Sequence, residues 1–191
     1  MSGRVSGELN LNLRDYSHDS KEGTPGQNTP DRYFFGSKIN TELTVNRMYT
    51  IKATVFQTRR PFLDINDVAV HCDSGTWDAD PVACTFTLKM KESGTSGALL
   101  YRSSDQDACC FVLGIHNYKP WCNVVTNIAP NDTASSILNT FYGKGFRNKD
   151  WEPVLHDQNR TSKGTEADVR FFQSTGNSLT AVIKITGWET D

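Results

Sequence analysis

From residue 48 to 58 the chain reads MYTIKATVFQT, and its apolar and polar positions alternate. Tyr49, Ile51, Ala53, Val55 and Gln57 fall on one face, while Thr50, Lys52 and Thr54 fall on the other, which predicts a strand with one wet face. Further short segments are rich in β-branched and aromatic residues and are bounded by turn residues. They predict strands at residues 67–71, 84–90, 98–103, 109–115, 169–173 and 178–186. DSGTW, ESGTSG, SDQD and STGNS supply intervening turns. One segment has a helical period instead. In NDTASSILNTFYGKG, Asn131 or Asp132 caps the start, Ile137, Leu138 and Phe141 form one stripe, and Gly143 is placed for a C-terminal cap. A second turn of helix is expected near residues 150–155. Several short antiparallel strands with one crossing helix predict a mainly β protein of the sandwich type. No solenoid or propeller period is present.

Residues 1–46 carry no such pattern. They are rich in Ser, Gly, Asn, Asp and Lys, a composition that buries too little apolar surface to fold alone. RYFFG at residues 32–36 is their one apolar island and a candidate anchor on the main domain. The expected organisation is a polar, largely disordered arm over 1–46 and one folded domain over 47–191. A total of 191 residues suits one domain with a tail. The 14 Gly and 7 Pro fit a chain with many turns.

Charge and cysteine content narrow the function. A formal charge of −2 argues against a broad electrostatic grip on nucleic acid or acidic lipid. No apolar run reaches the roughly 20 residues that a membrane helix needs. No signal peptide is expected, because the first residues have no apolar h-region, and Gly is third rather than second, outside the myristoylation pattern. The five cysteines, an odd number without a leader, predict reduced thiols in a cytoplasmic protein. The glycosylation patterns at Asn131 and Asn159 are then chance matches.

The densest chemistry lies in GIHNYKPWCNVVTN, residues 114–127. A Cys122–His116 nucleophile pair would need a tight turn, because six residues of extended strand span about 20 Å. Pro120 makes a turn at Lys119–Pro120 the expected one. No protease-like signature surrounds Cys122, so a packed cysteine is the expectation. Metal chemistry lacks its spacing: there is no CxxC or HxxxH, and the adjacent pairs His71–Cys72 and Cys109–Cys110 alternate faces on a strand. SGTSG at residues 93–97 leads into a strand without the Lys-Ser/Thr of a phosphate loop. It reads as a tight turn whose small side chains let a ligand approach the backbone. Asn117, Tyr118, Trp121, Asn123, Thr126 and Asn127 are the amides, hydroxyls and aromatics a sugar requires. The alternative is that Tyr118 and Trp121 are core, and that Asn117 and Asn127 satisfy turn backbone.

SGTSGALLYRSSD, GIHNYKPWCNVVTN and DTASSILNTFYGKGFRN, together with TIKATVFQT and SGTW, resemble the fungal fruit-body lectins in order and spacing over residues 47–186. The resemblance implies an actinoporin-like β-sandwich of two sheets linked by a helix-loop-helix. It implies a cytoplasmic homotetramer acting in defence, without catalysis; no cofactor or metal is expected. Its implied ligands are galactosyl-β-1,3-N-acetylgalactosamine (T-antigen type) glycans of glycoproteins or glycolipids, and at a second site terminal N-acetylglucosamine. Carried over residue by residue, the first site falls on Ser93, Gly94, His116 and Asn117, with Cys72 where a small Ala is usual. Asn117 would bond a sugar hydroxyl through its amide, and Ser93 with the Gly94 N–H would hold ring substituents. The second site falls on Asn123, Val124, Thr126, Arg147 and Gln158, with Asn123 replacing an Asp and Gln158 standing where a Tyr is expected. Pro120 replaces a basic residue. The actinoporin-like fold also raises the alternative of a membrane-binding or pore-forming protein. Residues 1–30 lack the apolar stripe such a protein inserts, so no stable membrane insertion is expected.

Overall fold

The computed structural model describes residues 48–58, 63–71, 74–142 and 154–187. Ten strands and one helix follow in chain order: β1 (Tyr49–Gln57), β2 (Asp64–Val70), β3 (Gly75–Asp80), β4 (Thr85–Met90), β5 (Ser96–Arg102), β6 (Ala108–His116), β7 (Lys119–Val125), α1 (Ala134–Thr140), β8 (His156–Arg160), β9 (Glu166–Gln173) and β10 (Ser178–Thr186). They form a six-stranded sheet in the order β3-β4-β1-β10-β9-β8 and a four-stranded sheet in the order β2-β5-β6-β7.

The alternation read in β1 buries Tyr49, Ile51, Ala53 and Val55 between the sheets. Leu88, Met90, Val169, Phe171, Ile183 and Ile185 join them from the same sheet, and Leu99, Phe111, Leu113 and Val124 from the other. β5 and β6 are buried on both faces. Their second face, with Ala98, Leu100, Cys110 and Val112 and with Trp121 of the neighbouring β7, receives Ala134, Ile137 and Leu138 of α1. A helix this short is not stable alone. Burial of Ile137 and Leu138, worth about 1.5–3 kcal/mol each, and a capping box between Thr133 and Ser136 hold it in place.

Several expectations need correction. The cap is Thr133, not Asn131 or Asp132. Asp132 instead accepts from the Ala129 N–H at 2.8 Å, closing the turn before the helix. The SGTW segment runs into strand β3, held by its ladder to β4. Residues 154 and 155 are not helical and lead into β8. Not all pairing is antiparallel, because β1 runs parallel to β10. The arm at 1–46, its RYFFG island and the Gly143 cap lie outside the described residues. Among the described residues no helix is long and apolar enough to cross a membrane.

Candidate functional site

The residues of the 114–127 stretch form a hairpin. His116 pairs with Lys119, and the two residues between them have φ of 48° at Asn117 and 62° at Tyr118. Positive φ at both central residues matches the twist of the flanking strands, and Asn tolerates it better than most residues. The turn is therefore at Asn117–Tyr118 and not at Lys119–Pro120. Pro120 sits inside β7, where it is tolerated because β7 is an edge strand.

This tip meets the turn between β4 and β5. The Tyr118 N–H donates to Ser93 Oγ at 2.9 Å, and the Gly94 N–H donates to the Ile115 carbonyl at 2.7 Å. Gly94 holds φ of 94°, a conformation that suits glycine. Ser93, Gly94, His116 and Asn117 thus share one patch, with Ser93 half-buried and the other three exposed. The Gly94 N–H expected to hold a ring substituent is spent within the protein. Ser93 keeps its hydroxyl proton for donation. Cys72, assigned beside them, lies outside the described residues.

The same side of the sheet carries a feature that the sequence pattern missed. Ser96 pairs with Gly114, two positions before His116. Ser96 Oγ lies 2.6 Å from the Tyr142 hydroxyl, and the Tyr142 ring stacks on His71 with centroids 3.3 Å apart. Burial lowers the His71 pKa from its ordinary 6.5. Gly114 permits this packing, because a Cβ there would lie 2.4 Å from Ser96 Cβ and 2.9 Å from Trp121 Nε1. The signal was the glycine inside an otherwise apolar strand.

The second set is placed differently. Asn123 is half-buried and shares its strand face with Trp121 and Val125, which pack toward α1. Val124 points the other way into the inter-sheet core, and its N–H donates to Asp157 Oδ2 at 2.7 Å. Its side chain and N–H are both occupied. Thr126 is buried. Gln158 is exposed on β8, where its N–H donates to Asp157 Oδ1 at 2.9 Å. Asp157 thereby ties the edge strands of the two sheets together. Arg147 lies outside the described residues.

Cys122 faces the core, opposite to His116, and its thiol donates weakly to the carbonyls of Val154 and Val169 at 3.5 and 3.7 Å. Burial, with Asp157 as a lesser cause, pushes its pKa up to about 12. A thiol so placed is a packing group and a poor nucleophile. Of the two aromatics, Trp121 packs on Phe141 with centroids 5.6 Å apart, while Tyr118 is 75% exposed beside Asn117. Among the described residues no three His, Cys, Asp or Glu side chains group as metal ligands.

The fungal fruit body lectin family model matches residues 48–184. A lectin of Boletus edulis is 38% identical over 138 residues, which is 70% of this chain and 95% of that protein. The crystal structure of wild-type Xerocomus chrysenteron lectin is similar with a TM-score of 0.66 and 31% identity, over 72% of this chain and 99% of that one. A methionine-substituted form of the same lectin gives 0.66 and 32%, over 72% and 97%. The family match runs from the start of β1 into β10 and takes in the helix, so this chain belongs to the fungal fruit body lectin family and is a carbohydrate-binding lectin.

Proposed function

We propose that this lectin binds galactosyl-β-1,3-N-acetylgalactosamine glycans at the tip of the β6–β7 hairpin. The observation that supports the reading is the hydrogen bond from the Tyr118 N–H to Ser93 Oγ, which joins two distant turns into one exposed patch. The Asn117 amide offers both donors and an acceptor to vicinal sugar hydroxyls, and His116 offers a ring nitrogen. Tyr118 supplies an exposed aromatic face for the apolar side of a pyranose. The binding is non-catalytic. A glycan array tests the specificity. No preference for galactosyl-β-1,3-N-acetylgalactosamine over other glycans would overturn it.

For terminal N-acetylglucosamine we propose a weaker second site along the β7–β8 edge, drawing on Asn123, Thr126 and Gln158. An Asn at 123 lacks a charged acceptor, which weakens its hydrogen bonds. Calorimetry with N-acetylglucosamine on Asn123→Asp should show tighter binding than the parent. The same reading makes the protein a cytoplasmic homotetramer acting in defence. Dye release from liposomes would support the membrane-active alternative instead.

A further inference from the structure

The outer face of the six-stranded sheet carries a trough of about 470 Å³ built by β8, β9 and β10. The register sets its order. Lys184, Asp168 and Gln158 stand side by side on β10, β9 and β8, and Thr186, Glu166 and Arg160 stand side by side two residues further along. All six line the trough. Phe56 continues the first row onto β1, opposite Lys184, and is 55% exposed. Val55, Val169, Ile183 and Ile185, their neighbours in sequence, are buried between the sheets, so alternation turns both rows outward.

Both carboxylates are held in place by neighbours on the same face. Arg160 Nη2 donates to Glu166 Oε1, and Asp168 Oδ2 lies 2.8 Å from His156 Nε2. A carboxylate has more lone pairs than these bonds use, so both remain acceptors. Lys184 brings ammonium donors, and the Gln158 amide offers donors and an acceptor. Each sugar hydroxyl donates and accepts, so it fits a set of fixed acceptors flanked by donors, and little ordering is left for binding to impose. From Phe56 to Gln158 the first row crosses three strand spacings, about 14 Å, which is the reach of a trisaccharide. Phe56 presents a ring on which the apolar face of a pyranose can lie. We propose that this trough is a further carbohydrate site, taking an extended oligosaccharide laid across β1, β10, β9 and β8. Its volume lies within the range of small-molecule pockets. Of the described residues assigned above to sugar sites, Gln158 alone lines it.

The test uses the full chain on a glycan array, scored for oligosaccharides that contain neither galactosyl-β-1,3-N-acetylgalactosamine nor terminal N-acetylglucosamine. The strongest such glycan is then titrated by calorimetry, and saturable one-to-one binding per chain is expected. Lys184→Met, which keeps the stem and removes the charge, should weaken it about tenfold or more, the value of a hydrogen bond to a charged group. Phe56→Thr should weaken it by about as much. Both side chains are exposed, so melting temperatures should stay within a few degrees. Asn117→Gly, at the hairpin tip, should leave this binding unchanged. Absence of any such glycan on the array, unchanged affinity in Lys184→Met or Phe56→Thr, or loss of the binding in Asn117→Gly would each overturn the proposal. So would a change of oligomeric state in Phe56→Thr by analytical ultracentrifugation, which would assign the face to a contact between copies of the chain.

Discussion

The Tyr118 backbone N–H donates to the Ser93 side-chain oxygen at 2.9 Å across 25 positions of sequence. That bond fixes the hairpin tip against the β4–β5 turn, and the bond from Gly94 to the Ile115 carbonyl seconds it. Ser93→Ala removes the acceptor and one sugar-facing hydroxyl together. The Tyr118 N–H is at the surface and turns to water, so the stability cost is about 0.5–1 kcal/mol. Disaccharide binding should fall by about tenfold or more, whereas Ser93→Thr retains most of it. Calorimetric titration that finds parental affinity in Ser93→Ala would remove Ser93 from the site.

Asn117 has two separable roles, because its side chain faces solvent while its backbone holds φ of 48°. Glycine takes that conformation freely, and alanine pays about 1 kcal/mol for it. Asn117→Gly should therefore keep the melting temperature within a few degrees and still lose disaccharide binding. Asn117→Ala should lose both binding and some stability. If the glycine variant binds like the parent, the amide serves only the turn.

The contrast between these two residues shows what was readable from sequence. β1 was legible because one face is buried and the other wet, so alternation survives in the residues. β5 and β6 were legible as apolar runs because α1 covers their second face. β3 and β8 were not, since GTWDAD and HDQNR have few apolar residues and are strands only through the ladders to β4 and β9. β7 was hidden by Pro120, a residue that reads as a turn but is tolerated at a sheet edge. The same limit applies to the sites. Ser93, Gly94, His116 and Asn117 do converge, but nothing in the order of residues says that the Gly94 N–H is used internally. Nor does it say that Tyr142 and His71 stack beside Ser96.

The two sheets are clasped at the end away from the hairpin tip by Asp107. This side chain is 3% exposed; Oδ1 accepts from the Ala108 N–H at 3.1 Å, and Oδ2 accepts from the hydroxyl of Thr165 in the β8–β9 loop. Thr165 is also buried. Asp107→Ala removes the acceptor of both bonds and should cost about 3 kcal/mol in urea denaturation. Asp107→Asn keeps an acceptor for Ala108 and should cost less. Sugar affinity per folded molecule should not change in either, since the clasp is remote from Ser93 and Asn117.

The thiols divide by burial. Cys110 and Cys122 are both pushed up to about 12 by burial, while Cys84 is exposed. Iodoacetamide at about pH 8 should label Cys84 in the native protein and leave Cys110 and Cys122 intact until the protein is unfolded. Cys122→Ser should retain disaccharide binding, with a stability loss of about 1–2 kcal/mol from placing a hydroxyl in the core. Early labelling of Cys122 would mean that β7 opens locally.

His71 makes stability depend on pH in a predictable direction. Burial holds its folded pKa below the ordinary 6.5, so the unfolded chain takes up the proton first as pH falls. Stability should therefore decline on acidification, starting as pH drops through about 6.5 and levelling once it is below the folded value. Above that window the residue contributes no slope. His71→Phe keeps an aromatic ring on Tyr142 but carries no proton, so it should flatten this part of the profile. The difference between the two profiles isolates residue 71. Unfolding free energies measured from about pH 5 to 7.5 for the parent and His71→Phe decide the matter. Parallel profiles would show that the His71–Tyr142 stack is indifferent to protonation.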